Sequence, residues 1–127
     1  MKPILTQREF QQAKRSLQRE GARPSEMRDE AFRRVILSVP PGKVSTYAAI
    51  AAAAGYPRLH RAVARLLRTD PADRLPWHRI VGASGDIRLR EAGTLEQRAR
   101  LELEGVRFKG KHVDLDLHLH TLKPWES

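Results

Sequence analysis

Cysteine is absent from the 127 residues of this chain, and long apolar runs are absent as well. Without a thiol the chain can form no disulfide, no thiolate metal site and no cysteine nucleophile. No stretch approaches the roughly 20 apolar residues that a membrane-spanning helix needs, and no apolar run follows the N-terminal basic residues as in a secretory signal. We therefore expect a soluble cytoplasmic protein with no membrane partner, and a place on the bacterial nucleoid fits the same composition.

Acidic residues are too few to balance the basic ones. The chain has 24 Lys and Arg against 15 Asp and Glu, a formal net charge of +9. Such an excess favours a polyanionic partner, most often nucleic acid, with a merely soluble basic protein as the alternative. The charge is concentrated, because residues 1–25 carry six basic and two acidic groups and residues 57–70 carry four Arg and one Asp.

The length allows one ordinary domain. Residues 1–24 have few large apolar side chains and predict a flexible or weakly helical basic arm. Residues 25–122 predict the folded domain, mainly α with small β elements, and residues 123–127 a short tail. The first helix of this domain has Ser25 as its N-cap and ends before Pro40-Pro41-Gly42. We expect the chain to be a monomer.

Two helical patterns joined by Gly55-Tyr56-Pro57 predict a helix-turn-helix unit. The first helix runs from Tyr47 to Ala54 with Ser45 or Thr46 as its cap, and the second from Pro57 to about Thr69. Opposite the apolar stripe of the second helix, four arginines fall within about 80° of one another: Arg58, Arg61, Arg65 and Arg68. A solvated basic face is the ordinary interpretation, but four Arg without an acidic partner on that face favour contact with DNA phosphates.

The remaining patterns are weaker. Two short apolar runs within residues 70–93 predict a small hairpin or an irregular loop. Thr94 and Gln97 form a capping-box pattern that opens a helix to about Glu104, with Gly105 as its stop. Apolar residues alternate with polar ones over residues 113–120, which predicts a one-sided strand.

Histidines in this last region are a candidate metal site. The predicted strand would place His118 and His120 on one face, near His112 in sequence. No carboxylate or thiolate set completes a recognisable site. We therefore expect no metal and no cofactor.

Pro76-Trp77-His78-Arg79-Ile80-Val81 is the most specific segment of the sequence. It resembles the Pro-Cys-His-Arg-Val active-site segment of the DNA alkylguanine alkyltransferases, with Trp in place of Cys, a replacement typical of the alkyltransferase-like proteins. Other motifs agree in order and spacing over about residues 26–120: Gly42-Lys43-Val44-Ser45-Thr46-Tyr47, Gly55-Tyr56-Pro57, Arg61-Ala62-Val63, Ser84-Gly85 and Leu103-Glu104-Gly105-Val106. The resemblance implies a winged helix-turn-helix-like domain, as in the transferases' C-terminal domain, that binds duplex DNA containing alkylated guanine.

The resemblance also implies roles for individual residues. It assigns the lesion pocket to Trp77, Tyr47, Arg90 and His78, with Arg88 as an alternative to Arg90. It assigns DNA contacts to Arg61, Arg58, Arg65, Ala62 and Tyr47. Arg61 would be the finger that fills the space of a flipped base from the minor groove, and small Ala62 would permit close backbone approach. Ordinary packing is the alternative for Trp77 and Tyr47.

A His–Glu pair helps form the thiolate in the transferases, and His78 and Glu104 match it. Because no thiol remains to activate, we interpret the pair as a retained structural link. Asp70 matches a family Asn that helps hold the active-site turn, although Asp-Pro is also common in ordinary turns.

The predicted function is that of a non-enzymatic damage sensor, because indole has no nucleophilic lone pair comparable to that of a thiolate. It would flip O6-alkylguanine out of duplex DNA and promote nucleotide excision repair, with repair proteins as further partners. The repair role comes wholly from the resemblance. Two alternatives stay open: an enzyme that hydrolyses the alkyl group through water activated by His78, and a helix-turn-helix transcriptional regulator.

Overall fold

The computed structural model describes residues 6–9, 11–12, 24–70, 74–89 and 91–122. The helices are α1 (Pro24–Leu37), α2 (Tyr47–Ala53), α3 (His60–Thr69), a 3-10 turn (Trp77–Arg79), α4 (Glu91–Leu103) and α5 (Leu115–His118). The strands are β1 (Ser45–Thr46), β2 (Ile80–Val81), β3 (Phe108–Lys109) and β4 (His112–Val113). Each strand is only two residues long, so the predicted class of a mainly helical domain with small β elements is confirmed.

Helices α1, α2 and α3 enclose the larger of two apolar cores. Phe32 and Ile36 of α1, Ile50 of α2 and Val63 of α3 are all fully buried. Burial of each such side chain stabilises the fold by about 1.5–3 kcal/mol. Tyr56, between α2 and α3, places its ring edge against Phe32 with centroids 5.8 Å apart.

A second core lies where the short strands meet α4. It contains the buried side chains Val44, Val81, Leu101, Val106 and Val113. Strands β1 and β2 pair in parallel, with Ser45 opposite Ile80, and strands β3 and β4 pair antiparallel, with Phe108 opposite Val113. The 3-10 turn precedes β2 directly, so the pairing of β2 with β1 holds this turn close to the start of α2.

The helix-turn-helix prediction is right in its first helix and wrong at the start of its second. Thr46 is the N-cap of α2, since its Oγ1 accepts the Ala49 N–H at 3.1 Å. Helix α3 begins at His60, three residues after the predicted start at Pro57. The chain first makes a turn in which the Leu59 N–H donates to the Tyr56 carbonyl at 3.0 Å. Packing of Tyr56 against α1 fixes this turn and delays the helix.

The start of α4 also differs from the prediction. The helix begins at Glu91, so Thr94 lies inside it, where its hydroxyl donates to the Leu89 carbonyl at 2.8 Å. Gln97 does not close a capping box. Its side chain is buried and donates to the carbonyls of His78 and Ile80 at 3.0 and 2.9 Å. Similarly, β2 pairs with distant β1 and not in a hairpin within residues 70–93, although much of the described part of that range is irregular.

The predicted one-sided strand over residues 113–120 is wrong. Strand β4 ends at Val113 and is followed by α5, because the N–H groups of Leu117 and His118 turn back to the Asp114 carbonyl. Leu117 and Leu119 remain 53% and 46% exposed, so the alternation does not line one buried face. The alternation of apolar and polar residues therefore does not predict a strand here, because only its first apolar residue, Val113, is buried.

Both ends of the chain are described only in part. Helix α1 starts at Pro24, so Ser25 lies within its first turn and is not the predicted cap. In the predicted arm, residues 7–9 and 11–12 are helical and Thr6 just before them is not, while residues 1–5, 10 and 13–23 lie outside the described ones. The predicted tail, residues 123–127, lies outside them too. In the described ranges no helix has the length and apolarity to cross a membrane.

Candidate functional site

Trp77 occupies the first position of the 3-10 turn. Backbone hydrogen bonds from Arg79 N to the Pro76 carbonyl, at 3.0 Å, and from Ile80 N to the Trp77 carbonyl form the turn. Just before it, Trp77 N donates to the Leu75 carbonyl at 2.8 Å. This tight backbone sends successive side chains in different directions. The indole is half-buried and retains an accessible surface, whereas His78 is only 8% exposed.

Two side chains lie against the Trp77 ring. The His78 ring meets it edge-on, with planes 85° apart and centroids separated by 6.2 Å. The guanidinium carbon of Arg100 lies over the indole, 5.3 Å from its centroid, at cation–π distance. Trp77 therefore has an aromatic neighbour on one side and a positive charge over its ring.

Glu104 is the centre of a hydrogen-bonded network behind the 3-10 turn. His78 Nε2 lies 3.0 Å from its Oε2, so the two side chains that the resemblance pairs are in contact. Arg79 donates to the same carboxylate from Nη2 at 2.6 Å and from Nε at 3.0 Å. Arg79 Nη1 also donates to the Val39 carbonyl at 3.0 Å. The network thus joins the end of α4, the 3-10 turn and the segment after α1.

The charge state of Glu104 follows from these contacts. Burial raises the pKa of its carboxyl group, but hydrogen bonds from Arg79 and then His78 outweigh burial and lower the pKa to about 2. Glu104 is therefore ionised at neutral pH and neutralises the partly buried Arg79 beside it.

An exposed arginine face runs along α3. Arg61, Arg65 and Arg68 are exposed, and Val63 and Leu66 on the opposite side are buried, as the stripe predicts. Arg58 is exposed as well but lies in the turn before α3, so its predicted place on the helix face is wrong. No ion pair involves these four arginines within the described part of the chain. Ala62 is half-buried and packs against the larger core.

Asp70, the one acid of residues 57–70, turns away from this face. Its Oδ2 accepts from Arg33 Nε at 2.8 Å, and Arg74 Nε lies 3.8 Å from its Oδ1. The carboxylate is thus paired with α1 and with the segment after α3, and it leaves the charge of the α3 arginines uncompensated.

Tyr47 opens α2 at a second cluster of charges. The pKa of its hydroxyl is raised, mainly by burial. The positive charges of Arg88 and Arg68 act against this rise, and the negative charge of Asp86 adds to it. Arg88 forms an ion pair with Asp86 and keeps a largely exposed side chain. The structure therefore brings Tyr47 into the electrostatic range of the α3 arginine face and of the loop after β2. Arg90, predicted to cover the pocket, lies outside the described residues.

The loop after β2 is held by a glycine. Gly85 has φ +86°, and a Cβ at this position would lie 2.5 Å from the Val113 carbonyl oxygen. Only glycine fits so close to β4, which gives a physical reason for the Ser84-Gly85 motif.

Two residues of this region were not predicted from the sequence. Arg79 belongs to the recognised motif, but nothing in its sequence context indicates that it, more than His78, binds Glu104. Arg100 has only a local signal, its i,i+4 spacing from Glu96, and no periodicity indicates contact with Trp77. The three candidate metal histidines are not assembled: His112 contacts Ser84, and His118 bonds Gly42 and Arg107.

Comparisons with known proteins agree on one family. Residues 28–106 match the family described as 6-O-methylguanine DNA methyltransferase, DNA binding domain. A DNA base-flipping protein of Vibrio parahaemolyticus is 42% identical over 73 residues, which cover 57% of this chain and 73% of that protein. Alkyltransferase-like protein 1 of Schizosaccharomyces pombe is 39% identical over 84 residues, 61% of this chain and 78% of that protein.

A solved structure agrees in three dimensions. The crystal structure of Schizosaccharomyces pombe Atl1 in complex with damaged DNA containing O6-carboxymethylguanine superposes with a TM-score of 0.66 at 30% identity. The match covers 76% of this chain and 96% of that one. The two proteins are therefore similar in amino-acid sequence as well as in fold.

Proposed function

We propose that this chain, which belongs to the family of the 6-O-methylguanine DNA methyltransferase DNA-binding domain, is a non-enzymatic sensor of O6-alkylguanine. The chain would bind the lesion in duplex DNA, rotate the nucleotide into a pocket lined by Trp77, and leave the alkyl group in place. Persistence of the bound lesion would then promote nucleotide excision repair.

The observation that carries the proposal is the half-buried indole of Trp77, at the position that the motif resemblance assigns to the family's cysteine. Transfer of an alkyl group needs a thiolate that attacks the alkyl carbon and keeps it in a new S–C bond. The sequence contains no cysteine to form that bond. Indole offers an N–H donor and a flat apolar surface, which suit contact with an alkyl group and not its removal.

DNA contacts would come mainly from α3. Extrusion of a stacked base costs a few kcal/mol, and less for a damaged, poorly paired one, which favours the lesion before any pocket contact forms. Exposed Arg61 would fill the vacated space, because a planar guanidinium can stack and donate hydrogen bonds at once. Arg65 and Arg58 would contact phosphates.

The other proposed contacts lie around the lesion. Tyr47 would lie near the phosphate of the rotated nucleotide, in the range of the charges of Arg68 and Arg88. Arg90 would cover the base, with Arg88 as the alternative. His78 would act through its bond to Glu104 as a structural link behind Trp77.

A titration tests lesion recognition. Fluorescence anisotropy compares a duplex containing O6-methylguanine with its unmodified twin of the same sequence, and we expect at least about tenfold tighter binding to the lesion. Equal affinity for the twins would contradict lesion recognition, and tight binding to one undamaged sequence would indicate a transcriptional regulator.

A second measurement tests the absence of catalysis. The methylated duplex is incubated with excess protein and its nucleosides are analysed by mass spectrometry, where we expect O6-methylguanine to remain intact. Restored guanine would show that the chain is an enzyme, as water activated by His78 would require. For the repair role, addition of the protein to a nucleotide excision repair reaction should increase excision of the lesion strand, and unchanged excision would contradict that part.

A further inference from the structure

Arg100 places a positive charge directly beside the proposed lesion surface. Its guanidinium lies over the Trp77 ring at 5.3 Å, and its side chain is 44% exposed. The indole below it is half-buried. A group that packs against the accessible part of this indole therefore comes close to a cation that retains access to solvent.

The position of Arg100 is determined by buried contacts of α4. Gln97, one turn earlier, is 1% exposed and donates to the carbonyls of His78 and Ile80 on both sides of Arg79. Leu101, next to Arg100, is fully buried in the smaller core. These contacts fix the backbone of α4 relative to the 3-10 turn and so place Arg100 within reach of the Trp77 ring.

The partner of Arg100 on its own helix is weak. Glu96 lies one turn earlier, with its Oε2 3.6 Å from Arg100 Nε, and both side chains are largely exposed. Exposed i,i+4 pairs of this kind are strongly screened by solvent. The guanidinium can therefore leave this carboxylate and pair with another one at little cost in free energy.

We propose that Arg100 gives the Trp77 pocket a preference for O6-alkyl groups that end in a carboxylate over neutral groups of the same size. The indole would pack against the methylene of the alkyl group while the guanidinium pairs with its carboxylate, a charge-assisted contact. This inference rests on the proposed function and adds the chemical class of lesion that the site favours.

The test uses three duplexes of one sequence, with O6-carboxymethylguanine, its neutral amide O6-carbamoylmethylguanine, or guanine at the central position. The ratio of the two lesion affinities isolates charge from size. For the unaltered chain we expect about fivefold tighter binding of the carboxylate than of the amide at low salt, with a decline toward equality as salt increases.

Two variants should move this ratio in opposite directions. Arg100→Gln should reduce it to about one, whereas Glu96→Gln, which removes the competing carboxylate, should raise it about twofold. Arg98→Gln is the matched control: Arg98 also lies over an aromatic ring, that of Phe108 at 4.3 Å, and also pairs with a glutamate on α4, but it does not contact Trp77. This control should leave the ratio unchanged.

The outcomes separate the two proposals. Equal binding of all three duplexes by the unaltered chain would contradict the proposed function itself. Preference for both lesions over guanine, with a ratio near one or a ratio that Arg100→Gln leaves intact, would overturn only the role of Arg100. If Arg100→Gln does not fold, two measurements still test the role of Arg100: the salt dependence of the ratio in the unaltered chain, and the ratio in Glu96→Gln. A ratio that changes neither with salt nor in Glu96→Gln would contradict the inference.

Discussion

Replacement of Glu104 by Gln should lower the free energy of unfolding by about 2–3 kcal/mol at pH 7. In the folded protein the pKa of this carboxyl falls from 4.5 to about 2, a difference of roughly 2.5 units. At about 1.36 kcal/mol per unit, the ionised form gains on the order of 3 kcal/mol over the neutral one. We reduce this slightly because the side chain is 18% exposed and because a Gln oxygen still accepts one hydrogen bond.

The pH dependence gives an independent check. Because the folded-state pKa of Glu104 lies below its unfolded value, the stabilisation is complete above about pH 4.5 and is lost as the pH falls toward 2. The Gln variant has no carboxyl to protonate at this position, so its stability should decrease less than that of the unaltered chain over this interval.

Urea unfolding followed by far-UV circular dichroism, at pH 7 and in steps from pH 5.5 to 2.5, measures both quantities. Glu102→Gln is the matched control, since Glu102 lies in the last turn of α4, two residues before Glu104, in an exposed pair with Arg98, and should change stability by less than about 0.5 kcal/mol. A Glu104 variant as stable as this control, with an unaltered slope against pH, would refute the assignment of the network as a stabilising one.

Arg61→Ala should weaken binding to an O6-methylguanine duplex about tenfold or more, with an unchanged thermal midpoint. Arg107→Ala, which replaces an exposed arginine outside α3, should weaken binding far less. Equal effects of the two substitutions in anisotropy titrations would contradict the role of Arg61 as the finger. Trp77→Cys should fail to restore alkyl transfer, because the pocket must also orient the alkyl carbon, and S-methylcysteine found by mass spectrometry of the protein would refute this. Thr46→Ala should cost about 1 kcal/mol in urea unfolding through loss of the α2 cap, and a stability unchanged within error would contradict the cap. The logarithm of the affinity for DNA should fall by about 0.9 per logarithmic unit of salt for each phosphate neutralised, and a flat dependence would exclude phosphate contacts.

Local rules predicted the parts of the fold that local interactions determine. Thr46 caps α2 because its hydroxyl meets an N–H three residues on, and the apolar stripe of α3 is buried at Val63 and Leu66 because helical spacing alone puts those residues on one side. The motif around Trp77 predicts the centre of the site, but the 3-10 turn that this motif forms had no sequence signal.

Tertiary contacts overrode the local rules elsewhere. Gln97 has the spacing of a capping residue, but two carbonyls beside the 3-10 turn offer it buried hydrogen bonds that a solvated helix end cannot match. Tyr56 packs on Phe32, and this contact fixes the turn that precedes α3, so the helix begins later than predicted. Neither partner is near in sequence, so no pattern within a short window could have indicated these contacts.

The His78–Glu104 pair has a structural reason to be present in a chain without a thiol. The carboxylate of Glu104 has its shortest hydrogen bond with Arg79, at 2.6 Å, and hydrogen bonding to Arg79 is the largest of the effects that lower its pKa. Loss of Glu104 would leave a partly buried guanidinium without its counter-charge, whatever the chemistry at the neighbouring position. Arg79 also bonds the Val39 carbonyl and so connects α1 to the turn that carries Trp77. We therefore expect the carboxylate to help position the indole in a chain that has no thiol to activate.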